Sequence, residues 1–138
     1  MFENLIYTLG AVPFIFLGLL HTIYSLMDDH KPFKIVPRKK TVIEAMKGST
    51  LVLTKETTVW RAWIGFNISH GLGVSMFGAL YFYLSAFHYQ TFMALGPLPW
   101  LAPVIAAIYF ILARRYWFSI PAAGSALGTV LFTIGLFL

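Results

Sequence analysis

WRAWIGFNISHGLG, Trp60 to Gly73, opens an apolar block that runs on to Phe87, yet it carries an asparagine and a histidine, Asn67 and His70. Read as part of a membrane span, it takes its place among four such blocks. These are Leu5 to Met27, Ala62 to Phe87, Leu98 to Ala113 and Phe118 to Leu138. A bilayer crossing needs about 20 apolar residues at a rise of about 1.5 Å each. The third block is the shortest and reaches that length only if its entry through Pro97 and Pro99 is counted. The expectation is an all-α, four-helix transmembrane bundle. It forms one membrane domain, 1–138, with helices over about 4–27, 60–87, 97–115 and 117–138 and a connection over 28–59.

Composition points the same way. Charged residues make up 11% and hydrophobic ones 59%, whereas a soluble domain carries roughly 25% charged residues. The net charge of +5 could suggest nucleic acid, but its placement argues against that. Eight of the ten Lys and Arg fall between Lys31 and Arg61, and the other two are Arg114 and Arg115. Those positions are the connections after the first and third spans, which share one side in a four-span chain. The positive-inside rule makes that side the cytoplasm. The connection from His88 to Pro99 has no Lys or Arg, and neither do the termini, so both ends are expected outside, in a multi-pass membrane protein. Trp60, Trp63, Tyr116 and Trp117 beside the basic connections, and Tyr81, Tyr83, Tyr89 and Trp100 at the other ends, form the expected aromatic belts.

The first block reads as a permanent helix rather than a cleaved signal peptide. It carries Glu3 in place of a basic n-region, and its apolar stretch is too long for an h-region. With no cysteine, thiolate chemistry and disulfides are excluded. Within 28–59, the stretch DDHKPFKIVPRKK should be irregular because of Pro32 and Pro37. Thr41 and Glu44 then have capping-box spacing. They predict a short interfacial helix with an apolar face of Val42, Ile43 and Met46, its Lys-rich flank near anionic headgroups. A loop packed beneath the helices is the alternative.

Small residues suggest where helices approach. Gly65, Ser69 and Gly73 recur every fourth residue, as do Gly71, Ser75 and Ala79, while Gly124 and Gly128 form GxxxG. In lipid, where apolar burial gives little drive for association, such strips let backbones pack closely. The expected close pair is the second and fourth spans.

The candidate site follows from helical spacing. Trp63, Asn67, His70 and Val74 share one stripe. Phe14, Gly18, His21, Tyr24 or Ser25, and Asp28 share another on the first span. His21 and His70 lie at similar depth, and Tyr109 could line the same space. One reading makes His21, Asn67 and His70 mutual hydrogen-bonders that join helices. A second makes them, with Tyr24, Trp63 and Tyr109, a cytoplasm-facing cavity for a lipophilic molecule such as a lipid, quinone or sterol-like compound. A third makes His21 and His70 axial ligands of a b-type haem, with Gly18, Gly71 and Gly73 admitting the ring and Arg61, Arg114 and Arg115 meeting its propionates. No other cofactor is suggested.

No Asp or Glu lies within a span, Asp28 and Asp29 being expected at the interface at the end of the first, so zinc and di-iron sites lack their ligands. GLGVSMFG departs from nucleotide-loop spacing and has no preceding strand. A Ser-His-Asp set lacks a third member at depth. No residue names a reaction, so catalytic residues stay unassigned. Beyond the bilayer, the remaining partners are a larger membrane complex, in which the chain would be an accessory subunit, or copies of itself.

The runs TLVLTKETTVWRAWIGFNISHGLG (50–73), HTIYSLMDDHKPFKIVPR (21–38) and RRYWFSIPA (114–122) resemble a group of small bacterial four-helix membrane proteins without assigned activity. WRAWxGFNxSHxxG is the most distinctive part. The resemblance implies the fold and an inner-membrane location and supplies no catalytic residue. A looser similarity is to four-helix sterol-isomerase-like membrane domains, whose acidic residues inside the bundle are missing here.

Overall fold

The computed structural model describes residues 2–138, so of the expected 1–138 domain Met1 lies outside the described residues. All regular structure among them is helical: α1 (Phe2–His30), α2 (Lys40–Gly48), α3 (Val59–Phe87), α4 (Tyr89–Met93), α5 (Leu98–Tyr116) and α6 (Ser119–Phe137). Three helices are long and apolar enough to cross a membrane: Asn4–His30 within α1, then α5 and α6. At 29 residues α3 equals α1 in length but falls outside that group. Its Arg61, Asn67, Ser69, His70 and interspersed glycines lower its mean hydropathy.

The described residues form two compact units, one of residues 2–17 and 74–138, the other of residues 18–73, and α1 and α3 each contribute to both. In the first unit, Tyr7, Ala11, Phe14, Val74, Tyr81, Phe92, Ala102, Ala106 and Phe132 form the buried core. Phe132 is wholly buried, with its ring centroid 4.9 Å from that of Tyr7 and 5.9 Å from that of Tyr81. Such tilted and edge-on aromatic contacts suit the ring quadrupoles.

Glycine sets how near the backbones come. A Cβ at Gly78 of α3 would lie 2.7 Å from the Ile15 nitrogen and 2.9 Å from the Ala11 oxygen, and one at Gly128 of α6 would lie 3.0 Å from the Gly10 oxygen. Both helices therefore meet α1 backbone to backbone, and GxxxG of α6 serves α1. This corrects the expected pairing through Gly65, Ser69 and Gly73. Nothing lies within 4 Å of a Cβ built at Gly65 or Gly73, and Ser69 is exposed. The strip faces outward because the buried stripe of α3 is instead the one carrying Ile64, Asn67, Gly71, Val74, Ser75, Gly78 and Tyr81.

Proline explains a further contact. Pro97 stands at the N-cap of α5 and Pro99 in its first turn, where the missing N–H has no helical partner to lose. Pro103 lies deeper, so the Pro99 carbonyl four residues earlier has no helical donor. The Tyr7 hydroxyl donates to that carbonyl at 2.6 Å, and Tyr81 donates to the neighbouring Leu98 carbonyl at 3.1 Å.

In the second unit the polar connection is held by one carboxylate. Asp28, wholly buried near the end of α1, accepts the backbone N–H of Phe33 (2.6 Å) and Lys34 (2.8 Å) on Oδ1 and that of Ile35 (2.7 Å) on Oδ2. The chain is thereby folded back after Pro32. The short helix α2 forms, but not by the expected capping box. It starts at Lys40, one residue before Thr41, with extended Lys39 at the N-cap and no side-chain cap. Thr41 therefore lies inside the helix, where its hydroxyl cannot serve the first-turn donors.

Replacing Tyr7 by Phe should leave the Pro99 carbonyl buried without a donor. The expected loss is about 1 to 2 kcal/mol, read as earlier thermal unfolding in detergent, while Tyr83→Phe on the exposed face should change nothing measurable.

Candidate functional site

The second unit gathers His21, Asn67 and His70. Close approach of α1 and α3 makes this possible. Gly71 sits directly against the Thr22 side chain, and a Cβ there would come within 2.8 Å of the Thr22 nitrogen and 2.9 Å of the Gly18 oxygen. Side chains one turn away from that contact are thus brought within bonding reach across the interface.

Asn67 is buried, and its two ends do different work. Its Nδ2 donates to the Trp63 carbonyl one turn earlier at 2.8 Å, which leaves Oδ1 to face His21. Nε2 of His21 lies 3.1 Å from that oxygen. Because an amide oxygen only accepts, Nε2 carries the hydrogen, and in the neutral ring Nδ1 is the acceptor. The His70 ring meets that of His21 edge to face, with centroids 5.3 Å apart and planes at 79°. On its other side it lies parallel to Phe66, at 6.1 Å. Both histidines are half-buried.

The other expected residues are placed as follows. The Trp63 indole is partly exposed, and its N–H donates to the Ile35 carbonyl at 3.0 Å, pinning the folded-back connection to α3. Tyr24 is half-buried, with the Lys34 ammonium 5.6 Å from its ring centre. Tyr109 belongs to the first unit, where its ring lies 6.1 Å from Phe14 and 6.5 Å from Phe77. His21, Asn67 and His70 thus form a continuous polar cluster, Trp63 and Tyr24 border it through the connection, and Tyr109 sits in an aromatic group of its own unit.

This geometry does not suit two axial ligands of one haem. Each ring would have to direct a nitrogen at a shared metal roughly 2 Å away. Instead Nε2 of His21 is bonded to Asn67, and the rings touch edge to face. Among the described residues no group of three or more His, Cys, Asp or Glu is placed to hold a metal ion.

Sequence reading missed two polar features. One is Asp28, expected merely at the interface and found wholly buried. Its position at the end of the His21 stripe was visible, but the three donors that surround it come from a turn with no regular pattern. The other is an open cavity of about 400 Å³ in the first unit, lined by Asn4, Ala86, Phe87, His88, Tyr89, Gln90 and Thr91. Oδ1 of Asn4 is buried without a hydrogen-bond partner among the described residues.

Compared with profiles of known protein families, with curated proteins and with solved structures, the chain matches none. The functional reading therefore stands on the cluster itself.

If the His21–Asn67 bond ties α1 to α3, a double-mutant cycle on His21→Leu and Asn67→Leu should return a coupling of about 0.6 to 2 kcal/mol in detergent unfolding. A coupling near zero would show that the bond contributes nothing to stability.

Proposed function

We propose that this is a four-span membrane protein of the bacterial inner membrane, in which α1, α3, α5 and α6 cross the bilayer and both termini lie outside. In this reading it belongs with the small four-helix membrane proteins that its WRAWxGFNxSHxxG run resembles. The polar cluster of His21, Asn67 and His70 holds the polar end of a lipophilic molecule that enters from the cytoplasmic half.

The observation that carries this reading is the 3.1 Å His21–Asn67 bond with the His70 ring against it. Polar groups within spans are costly and mark functional positions by default. Asn67 spends both ends within the cluster, so a ligand's hydroxyl head would meet the Nδ1 acceptor of His21 beside the His70 ring. The apolar tail would lie along the helices. The proposal is one of binding, and these residues assign no chemical step.

A second reading is favoured by a different observation. The outward strip of Gly65, Ser69 and Gly73, with open space over both glycines, suits close packing by a helix of another subunit, and so an accessory role in a larger complex.

Purification separates the two. As a binding protein the chain should purify alone, carrying a lipid, quinone or sterol-like compound visible by mass spectrometry, and His70→Ala should remove most of it. An accessory subunit should instead purify with stoichiometric partners, lose them on Gly65→Leu, and tolerate His70→Ala. Either form should lack a Soret band.

Topology is tested directly because the chain has no native cysteine. A cysteine at Gln90 should react with an impermeant thiol reagent in intact cells and one at Lys39 should not. The reverse pattern would overturn the orientation.

A further inference from the structure

The loop between α2 and α3 is closed at its base and apolar at its tip. Thr50 and Thr58 form an isolated antiparallel bridge, and Val59 donates its N–H to the Ser49 carbonyl at 2.9 Å. Thr58 also caps α3, its Oγ1 accepting the Arg61 N–H at 3.3 Å. The Lys47 ammonium, at the end of α2, lies 5.1 Å from the centre of the Trp60 ring. Both ends of the loop are thus anchored on the first turn of α3.

At the tip the pattern reverses. Val52 is 110% exposed and Leu53 92%, the highest values among the exposed large hydrophobic residues. The turn that follows is set by Glu56 N–H donating to Thr54 Oγ1 at 3.1 Å. A single exposed aliphatic side chain is ordinary. Two adjacent ones, fully presented by a closed loop, leave the apolar surface of both side chains unburied in water.

We propose that the 50–58 loop is a membrane-insertion element whose tip, Val52 and Leu53, beds into the anionic lipid surface beside the first turn of α3. The inference rests on the reading that α1 and α3 span the bilayer. Reach supports it: the tip is three residues or fewer from Thr50, so it stays within about 10 Å of the Thr50–Thr58 bridge that adjoins α3, on the scale of the interfacial region.

Charge selects the surface. From Lys31 to Arg61 the chain carries eight basic residues against two acidic ones, Glu44 and Glu56. Lys and Arg placed near an anionic leaflet are drawn to it within about a Debye length. The helix α2, with no buried residue and Val42 exposed, offers a second apolar contact to the same surface. A docking protein would have to meet this basic surface at the level of the headgroups, where lipid is already present.

Single cysteines at Leu53, Glu56 and Leu19, each labelled with an environment-sensitive fluorophore, test this in the full chain. The protein is reconstituted into phosphatidylcholine vesicles, with or without phosphatidylglycerol, containing a lipid-borne nitroxide quencher. The label at Leu53 should be blue-shifted and quenched at least twofold more than that at Glu56, and more strongly when phosphatidylglycerol is present. Leu19, exposed on α1, reports whether that helix lies in lipid. A water-like Leu53 beside a lipid-like Leu19 would overturn the insertion proposal alone, whereas water-like signals at both would overturn the membrane reading beneath it. Equal quenching with and without phosphatidylglycerol would overturn the anionic selectivity. A Leu53 label that is shielded in native membranes but water-like in vesicles would reassign the tip to a protein partner.

Discussion

In a chain this apolar, a buried polar group needs its partner inside the protein, and that requirement shapes the structure. The hydroxyls of Thr22, Ser25, Ser85, Ser125, Thr129 and Thr133 each donate to the carbonyl four residues earlier in their own helix. Most of these groups are satisfied within their own turn, although Ser85 Oγ also lies 2.9 Å from Thr8 Oγ1 of α1. The ones that organise the fold cannot do this. Tyr7 reaches 92 residues along the chain to the Pro99 carbonyl, His21 reaches Asn67, and Asp28 gathers three N–H donors from the connection. Each is a polar group whose partner lies on another segment, so each ties segments together.

Those ties depend on glycine. Gly78 and Gly128 let α3 and α6 meet the α1 backbone in the first unit, and Gly71 lets α3 meet it in the second. Only at such separations can a short amide like that of Asn67 bridge to a facing imidazole. The site and the packing are therefore one feature. A larger residue at Gly71 would push the helices apart and take the His21–Asn67 bond with it. The outward strip of Gly65, Ser69 and Gly73 has no such role within the chain, although its spacing is as regular as that of the strip that packs.

The candidate site is correspondingly a matter of paired helices rather than of a loop. Asn67 spends its donor on its own helix and offers only its oxygen across the gap, which fixes the hydrogen on His21. The basic connection closes over the same region, with Trp63 and Asp28 holding it from two sides. In the proposed binding role, this connection would sit where a ligand's polar end meets the cytoplasm, and the 50–58 loop would hold its outer edge against lipid.

Local pattern determined much of this protein. Apolar blocks of near-membrane length made the chain helical, and the segregation of Lys and Arg set the expected orientation. Three-and-four spacing placed His21 and Asn67 on stripes that could face one another. Those features depend on residues near one another in sequence, and helix periodicity carries them without reference to the rest of the chain. Tertiary structure decided what periodicity leaves open. It decided which of two equally regular small-residue strips packs, because that depends on the shape of α1 at Ala11, Ile15 and Gly18. It decided that α2 starts at Lys40 rather than being capped by Thr41, and that Asp28 is buried among three N–H groups instead of lying at the surface. The packing strip is decided by a partner distant in sequence, and the burial of Asp28 by an irregular turn whose course no helical period carries.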